Sequence, residues 1–361
     1  MALGVDIGSS AIKIVQIKKK NSQAVLETYG ELALGPYAGL SVGQAVALPV
    51  EKIAQALIDL MREKEVGIST KRCGISIPFA SSLMSVIEMP DVSPKQLSLM
   101  VPLEARKYVP VPISEVMLDW SVIPKSEVKT DDSKEYSDTT PTSTPPPLAK
   151  VDVLIVAIHN ETIARYQDIV AKAGLEAGFF EIEIFSTMRA VLDETLHPVM
   201  IIDMGAASTK VYVIERGIIR SSHTINRGSQ DITSTISKSL GMTPERAEVM
   251  KRQLGVTGDD KSFNEAIILT LDYIFAEANS SLLAFEKKYN KTISKIILVG
   301  GGSALKGLAE LAKNNFKTEV VSADPFSKVS VPAFLEKILR ETGPEFAVAI
   351  GLALRRLAEE E

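Results

Sequence analysis

The chain has 361 residues, 45% of them hydrophobic and 24% charged, with a formal net charge of −5 at pH 7. This length allows two domains with separate cores, and the lack of a basic excess argues against a nucleic-acid partner. The single cysteine, Cys73, excludes an intramolecular disulfide and a cysteine-ligated metal cluster, and we interpret it as a structural thiol.

The uncharged stretch at residues 32–50 approaches the length of a short transmembrane helix. Because it contains three glycines and two prolines, it predicts a loop that leads into a helix. The start of the chain does not resemble a secretory signal, since Asp6 interrupts its apolar run. We therefore expect a soluble protein without direct membrane insertion, whose membrane association depends on a partner.

The first half of the chain predicts a strand meander followed by mixed elements. Apolar or alternating runs separated by turn residues are typical of strands, and apolar side chains at a helical period are typical of helices. The predicted strands are 2–7, 11–17, 24–32, 72–77, 82–89, 114–122 and 152–158, and the predicted helices are 50–65, 93–108 and 161–173. Residues 125–149 are acidic and rich in Ser, Thr and Pro, which predicts a disordered insertion.

The second half begins with another three-strand meander. Its predicted strands are 199–203, 209–214, 218–225 and 295–299, and its predicted helices are about 230–239, 244–254, 262–289 and 343–357.

An internal duplication is the strongest signal. The segment VDIGSSAIK (5–13) aligns without a gap on IDMGAASTK (202–210), at a constant offset of 197 residues. The identical positions are Asp6 and Asp203, Gly8 and Gly205, and Lys13 and Lys210. In each copy a buried strand would project the carboxylate into a cleft, and a tight glycine turn would present backbone N–H groups to phosphate oxygens.

The paired carboxylates predict a Mg²⁺ site. Carboxylates repel phosphate, so Asp6 and Asp203 are expected to hold Mg²⁺ through water, with Lys13 and, more weakly, Lys210 supplying positive charge. A single hairpin of this kind is weak evidence, because many ordinary β-turns contain Asp and Gly. Two copies at a fixed offset, each followed by the same meander, favour a shared phosphate-binding role.

A glycine loop follows the predicted strand near residue 299. Gly300, Gly301 and Gly302 would let the backbone lie flat against a base or ribose. The run GGGSALKG comes late in the chain and does not fit the G-x-G-x-x-G fingerprint of dinucleotide-binding folds.

These motifs resemble the phosphate-1, phosphate-2 and adenosine motifs of the actin superfamily, and the chain is most similar to its PilM and FtsA branch. The segments LGVDIGSSAIKIVQI, KYVPVPISEV, VDVLIVAIHNETIARYQDIVAKAGLEAGFFEIE and RAEVMKRQLG carry the likeness, which covers nearly the whole chain except residues 125–149. The resemblance implies an α/β, actin-like (ribonuclease-H-like) two-lobed ATPase fold with an inserted small α+β subdomain.

The resemblance also implies domain boundaries. The first lobe would be 1–76, completed by about 178–197 and 340–361. The inserted subdomain would be 77–177, with the disordered loop at 125–149, and the second lobe would be 198–339.

The resemblance further implies a site for ATP and Mg²⁺. The residues expected to bind the cofactor are Asp6, Gly8, Ser9, Ser10 and Lys13, then Gly205, Ala206 and Ala207, then Gly300, Gly301, Gly302 and Ser303. Asp6 and Asp203 are the expected metal ligands. Glu248 and Lys251 match a Glu-x-x-Lys helix that contacts ribose or base in relatives, and a solvated surface pair is the alternative.

The family resemblance assigns catalytic roles to Glu183 and Asp203. Glu183 lies near the position that orients the attacking water, but the neighbouring Glu181 is an equal candidate by sequence. If neither faces the γ-phosphate, turnover should be very slow. We therefore expect at most a slow Mg²⁺-dependent ATPase.

Three functions are compatible with this fold. The first is a cytoplasmic PilM-like component of type IV pilus or related type II secretion assembly. It would capture the cytoplasmic N-terminal tail of an inner-membrane PilN-like partner, in a groove between the first lobe and the inserted subdomain, with nucleotide biasing the lobes. An FtsA-like polymerising division protein is the alternative, and self-association stays open. A small-molecule kinase is the third, but the sequence offers no further catalytic base.

Overall fold

The computed structural model describes residues 1–123, 149–193, 196–258 and 260–359. The predicted insertion at 125–149 lies, apart from its last residue, outside the described residues. The chain divides into two compact units, one formed by Met1–Ala80 and Ala164–Glu361 and the other by Ser81–Ile163. The three-domain boundaries expected from the sequence stay a prediction.

The larger unit contains two five-stranded sheets. Its first part and the small unit comprise β1 (Ala2–Ile7), β2 (Ala11–Lys20), β3 (Gln23–Ala33), α1 (Val50–Arg62), β4 (Arg72–Ile77), β5 (Ser82–Pro90), α2 (Pro94–Ala105), β6 (Val116–Ile123), β7 (Lys150–His159) and α3 (Asn160–Ala173).

The remainder of the chain completes the larger unit. Its elements are β8 (Glu176–Ile182), α4 (Glu183–Val191), β9 (Val199–Met204), β10 (Thr209–Glu215), β11 (Ile218–Ile225), α5 (Ser229–Leu240), α6 (Pro244–Leu254), α7 (Lys261–Tyr289), β12 (Lys295–Val299), α8 (Leu308–Asn315), β13 (Glu319–Ser322), α9 (Glu336–Thr342) and α10 (Ala347–Ala358).

The two large sheets have the same topology. Their orders are β3-β2-β1-β4-β8 and β11-β10-β9-β12-β13. In each, the first three strands form an antiparallel meander and the last two lie parallel to the first strand of that meander. The duplication seen in two short motifs therefore extends over two whole sheets, which form the two lobes of an actin-like α/β fold.

Helix α10 packs closely on the first lobe. All but four of its residues are buried, and it lies against β1 and α4. A Cβ atom placed on Gly351 would lie 1.9 Å from the carbonyl oxygen of Ser186 in α4. Glycine is required here because the two helix backbones touch without a side chain between them.

The long helix α7 forms much of the core of the second lobe. Ten of its 29 residues are buried, and most of these pack in a cluster with the second sheet. Within the described residues it is the one helix long and apolar enough to cross a membrane, but 44% of its most apolar window is buried in the protein. Its hydrophobicity is explained by this core position.

In its described residues, the small unit consists mainly of an antiparallel sheet with the order β5-β7-β6 and the helix α2. Leu97, Val101 and Ala105 of α2 pack on Val153 and Ile155 of β7 in its own hydrophobic core. It is a small α+β unit, in agreement with the expected inserted subdomain class.

Candidate functional site

A cavity of about 580 Å³ lies within the larger unit and is lined by both lobes. Of the residues assigned from the sequence, those that line it are Asp6, Gly8, Ser9, Ser10, Lys13, Glu183, Asp203, Gly205, Ala206, Ala207, Glu248, Lys251, Gly300, Gly301 and Gly302. Residues separated by up to 296 positions in the chain therefore converge on one site.

Ser303 is the exception among the assigned residues. Its buried hydroxyl donates a hydrogen bond to the carbonyl oxygen of Gly300 at 2.7 Å, and it is not part of the cavity lining. Its observed contact stabilises the glycine turn from behind.

The two phosphate-loop hairpins close in the same way. The Gly8 N–H donates to the carbonyl oxygen of Ala11 at 3.0 Å, and the Gly205 N–H donates to that of Ser208 at 3.0 Å. In both hairpins the aspartate and lysine lie directly opposite each other, Asp6 across from Lys13 and Asp203 across from Lys210. Side chains at opposed positions of a strand pair share one face of the sheet, so each hairpin presents one acid and one base to the cavity.

The structure distinguishes the two candidate glutamates. Glu183, the first residue of α4, lines the cavity, and its carboxylate accepts hydrogen bonds from the Phe79 N–H at 2.6 Å and from Lys210 at 2.9 Å. Glu181, at the end of β8, is buried and forms ion pairs with Arg189 and Arg355. These ion pairs hold the pKa of Glu181 below its ordinary value despite burial.

Asp6 is held at the end of β1 by a neighbouring strand. The Ser76 hydroxyl donates to its carboxylate at 2.8 Å, and Ser76 Oγ in turn accepts from the Ile7 N–H at 3.2 Å. Burial raises the pKa of Asp6 to about 6, although Lys13 opposes the shift. Asp6 is therefore mainly ionised at pH 7 and able to attract a cation.

Glu248 and Lys251 form a buried network. Their side chains are each 8% exposed and lie 2.6 Å apart, so the alternative of a solvated surface pair is wrong. Thr233 donates to Glu248 at 2.6 Å and accepts from Lys251 at 2.9 Å, and Lys251 also donates to the carbonyl oxygen of Ser229 at 3.0 Å. The pair joins α6 to α5 at the cavity wall.

Four charged residues of the cavity lining were missed by the sequence analysis, and one of them, Arg165, donates a hydrogen bond to the carbonyl oxygen of Leu48. Glu31, Arg252 and Glu345 line the cavity near Lys13, which lies 3.4 Å from Glu31. They belong to β3, α6 and the turn before α10, and no local motif links them. Burial raises the pKa of Glu345 to about 7, an effect that Glu31 increases and Lys13 opposes.

Glu345 is expected to make the protein less stable as the pH rises from 5 to 7. A carboxyl whose pKa is about 7 in the folded protein and 4.5 in the unfolded chain binds more protons in the folded state between these limits, so folding is favoured at the acidic end. The Glu345→Gln variant should lose about 2 kcal/mol of this pH dependence of the free energy of unfolding. Urea denaturation at pH 5, 6, 7 and 8 checks this, and identical pH profiles for the two proteins would contradict it.

The cavity fits a nucleotide. Its volume lies within the range of about 300–1,000 Å³ typical of ligand pockets. Gly300 has φ +83°, and a Cβ there would lie 2.4 Å from the Asp203 carboxylate, so the glycine loop presents bare backbone to the cavity. Among the described residues no three acidic, histidine or cysteine side chains form a ready metal cage. Mg²⁺ would therefore need phosphate and water as its remaining ligands.

The two sheets of equal topology and the cavity lined by two matching hairpins define an actin-like protein. The fold is similar to that of MreB 5 of Spiroplasma citri bound to AMPPNP, with a TM-score of 0.51 and 12% identity over 99% of this chain and 96% of that chain. A family model described as "Type IV pilus assembly protein PilM" matches residues 4–357. The chain belongs to the PilM family.

Two further comparisons agree with this family. The structure of a PilM–PilN type IV pilus biogenesis complex is similar with a TM-score of 0.79 and 26% identity, covering 99% of this chain and 98% of that chain. The cell division protein FtsA of Neisseria meningitidis serogroup B is 24% identical over 383 residues, covering 96% of this chain and 88% of FtsA. The likeness to the PilM and FtsA branch is thus confirmed.

Proposed function

We propose that this actin-like protein of type IV pilus assembly binds ATP with Mg²⁺ and a PilN-like partner. The observation that carries the proposal is the family match over residues 4–357, together with the similarity to a PilM–PilN complex. The nucleotide part is supported by the cavity and its paired hairpins, and by the AMPPNP bound to a protein of the same fold.

The proposed roles follow the geometry of the cavity. Backbone N–H groups of the two hairpins would hold the phosphates, and the glycine loop would contact the nucleoside. Asp6 and Asp203 would hold Mg²⁺ through water. Glu183 would orient an attacking water, because phosphoryl transfer depends mainly on positioning and charge compensation. The proposed turnover of ATP is slow at most.

Nucleotide-dependent movement of the lobes is part of the proposal. A segment of the first lobe, residues 39–48, reaches the second lobe through polar contacts. The Ala45 N–H donates to the Gln230 side chain at 3.0 Å, and the Ser41 hydroxyl contacts Glu245. Polar contacts of this kind can break and re-form, so a nucleotide that binds one lobe arrangement better would shift the population toward it.

The partner in this proposal is the cytoplasmic N-terminal tail of a PilN-like inner-membrane protein. Binding of this tail would recruit a cytoplasmic protein to the inner membrane. Calorimetric titration of a synthetic tail peptide, with and without Mg-ATP and with a scrambled peptide as control, tests this. We expect a Kd of micromolar or tighter, equivalent to about −8 kcal/mol, and a different Kd when Mg-ATP is present.

The other outcomes of this titration separate the parts of the proposal. Equal peptide affinity with and without Mg-ATP would remove the nucleotide coupling. Binding of ATP without binding of the peptide would remove the PilN-like partner and favour the FtsA-like, polymerising alternative, which light scattering would then examine.

Loss of either cavity aspartate is expected to weaken Mg-ATP binding. Asp6→Ala and Asp203→Ala should each raise the Kd by at least about tenfold, or 1.4 kcal/mol, because each removes a charge that attracts Mg²⁺. Thermal unfolding should remain cooperative, since both side chains lie at strand ends next to the cavity. The exposed Asp272 of α7 offers a control, Asp272→Ala, whose Kd should equal that of the wild type. An unchanged Kd for Mg-ATP in both cavity variants would contradict the assignment of Asp6 and Asp203 to the nucleotide site.

A further inference from the structure

Lys210 lies among the acidic side chains of the cavity. Its ammonium is 2.9 Å from Glu183 Oε2 and 3.5 Å from Asp203 Oδ2, and the three side chains are 16%, 12% and 9% exposed. Asp6 lies near enough to interact with it electrostatically. One ammonium thus pairs with two carboxylates, which come from α4 and β9.

The equivalent lysine of the first hairpin is engaged differently. Lys13 occupies the same register opposite Asp6, but its ammonium pairs with Glu31, whose side chain is 34% exposed. The two duplicated lysines are therefore not interchangeable. The sequence suggested that Lys210 was the weaker of the two cations, whereas the structure gives it the more enclosed acidic surroundings.

The other cations of the lining are engaged elsewhere. Lys251 and Arg252 pair with Glu248, and Arg165 donates to the carbonyl oxygen of Leu48 at 2.7 Å. Within the described part of the chain, Lys210 is the cation for which ion pairs with Glu183 and Asp203 are seen. The neutralisation of these two carboxylates depends on this one side chain.

We propose that the Lys210 ammonium is a built-in counter-cation, which occupies the position at Asp203 and Glu183 that a divalent metal ion would otherwise take. The inference rests on the proposed nucleotide site and specifies its metal dependence. Mg²⁺ alone does not bind this acidic cluster, and Mg²⁺ reaches Asp203 through its water shell only together with the phosphates of ATP.

Two physical arguments support this assignment. A metal ion that approaches Asp203 meets a positive charge less than 4 Å from the same carboxylate, and such repulsion is strong in a partly enclosed site. Lysine is also a compact charge on a flexible stem with three donors, so the ammonium can turn from the carboxylates to entering phosphates. The positive charge that phosphates require is then already in the cavity.

Removal of this charge should create a metal site, and Lys210→Met keeps the length of the stem without the charge. In a thermal shift assay with Mg²⁺ alone, the wild type should show no shift. The melting temperature of Lys210→Met should rise by several degrees, because Mg²⁺ then binds the folded state. The exposed Lys261, which is 90% exposed beside Glu265, gives the control Lys261→Met, which should behave as the wild type.

Fluorescence titration with ATP, in Mg²⁺ and in EDTA, provides the second readout. Replacing Mg²⁺ by EDTA should raise the Kd of Lys210→Met by a factor at least about tenfold larger than the factor for the wild type, because only the wild type keeps the ammonium for the phosphates. If Lys210→Met does not fold, the double variant that combines Lys210→Met and Glu183→Gln provides a substitute, because it removes one carboxylate together with the ammonium. ATP binding by the double variant should show the same strengthened dependence on Mg²⁺.

The failures of the two proposals are distinguishable. Equal thermal shifts by Mg²⁺ in the wild type and the Lys210 variants would overturn the role of Lys210, as would an equal rise of the Kd for ATP in EDTA for the wild type and the Lys210 variants. A wild type that binds no ATP under either condition would instead overturn the proposed nucleotide site.

Discussion

Replacing Gly300 by alanine is expected to weaken ATP binding by about 100-fold, equivalent to about 2.7 kcal/mol. Gly300 has φ +83° and ψ 163°, a conformation that is essentially restricted to glycine and costs other residues about 1–3 kcal/mol. Its new Cβ would also lie 2.4 Å from Asp203 Oδ1 and 2.7 Å from the carbonyl oxygen of Met204. Relief of these clashes must move the glycine loop or the aspartate, both of which line the cavity.

The next residue provides a matched control. A Cβ on Gly301 would meet only Glu345, at 3.6 Å or more, and its backbone is not left-handed. Gly301→Ala adds the same methyl group to the glycine loop without backbone strain, so its loss of affinity should be at least about tenfold smaller than that of Gly300→Ala if the latter is conformational. Calorimetric titration of both variants with Mg-ATP decides this, and equal affinities for the two variants would contradict it.

Replacing Gly351 by valine is expected to lower the free energy of unfolding by about 3 kcal/mol or to prevent folding altogether. The α10 backbone touches α4 at this residue, where a Cβ would lie 1.9 Å from the Ser186 carbonyl oxygen. Because Gly4 of β1 meets the backbone of α10 in the same way, at Ala349, the helix is held between two elements and cannot shift away. Urea denaturation followed by circular dichroism measures the loss.

A control in the same helix separates packing from helix propensity. Ala358→Val adds the same β-branched side chain to α10 at an exposed position, and its cost should be below about 1 kcal/mol. A similar loss in both variants would show that the intrinsic preference of valine, and not contact with α4, is responsible.

Local sequence patterns predicted the elements that carry the hairpins. The strands of both meanders and the helices α1, α3, α5, α6 and α7 are confirmed, with shifts of a few residues at their ends. These elements have an apolar period of their own, and turn residues bound them. Residues 176–191 were not predicted, although they form β8 and α4, which carry Glu181 and Glu183. The same is true of β13 and α9, which are only four and seven residues long.

The duplicated hairpins and the glycine loop were found from sequence because their backbone requirements are local. An aspartate after a buried strand, a glycine at a tight turn and small residues behind it can be read in nine positions. A constant offset of 197 residues then relates the two copies, and the two equal sheet orders are its structural counterpart.

Only the tertiary structure decided how the charges of the cavity are paired. It turned Glu183 toward the cavity and Glu181 into a buried ion-pair cluster, brought Glu31 and Glu345 next to Lys13, and set Lys210 between Glu183 and Asp203. Ion pairs of this kind depend on distances between elements far apart in the chain and on how much water each side chain loses. Sequence by itself determined the backbone motifs and the family, because these follow from short-range conformational preferences. The electrostatics of the site depend on packing, which no local pattern contains.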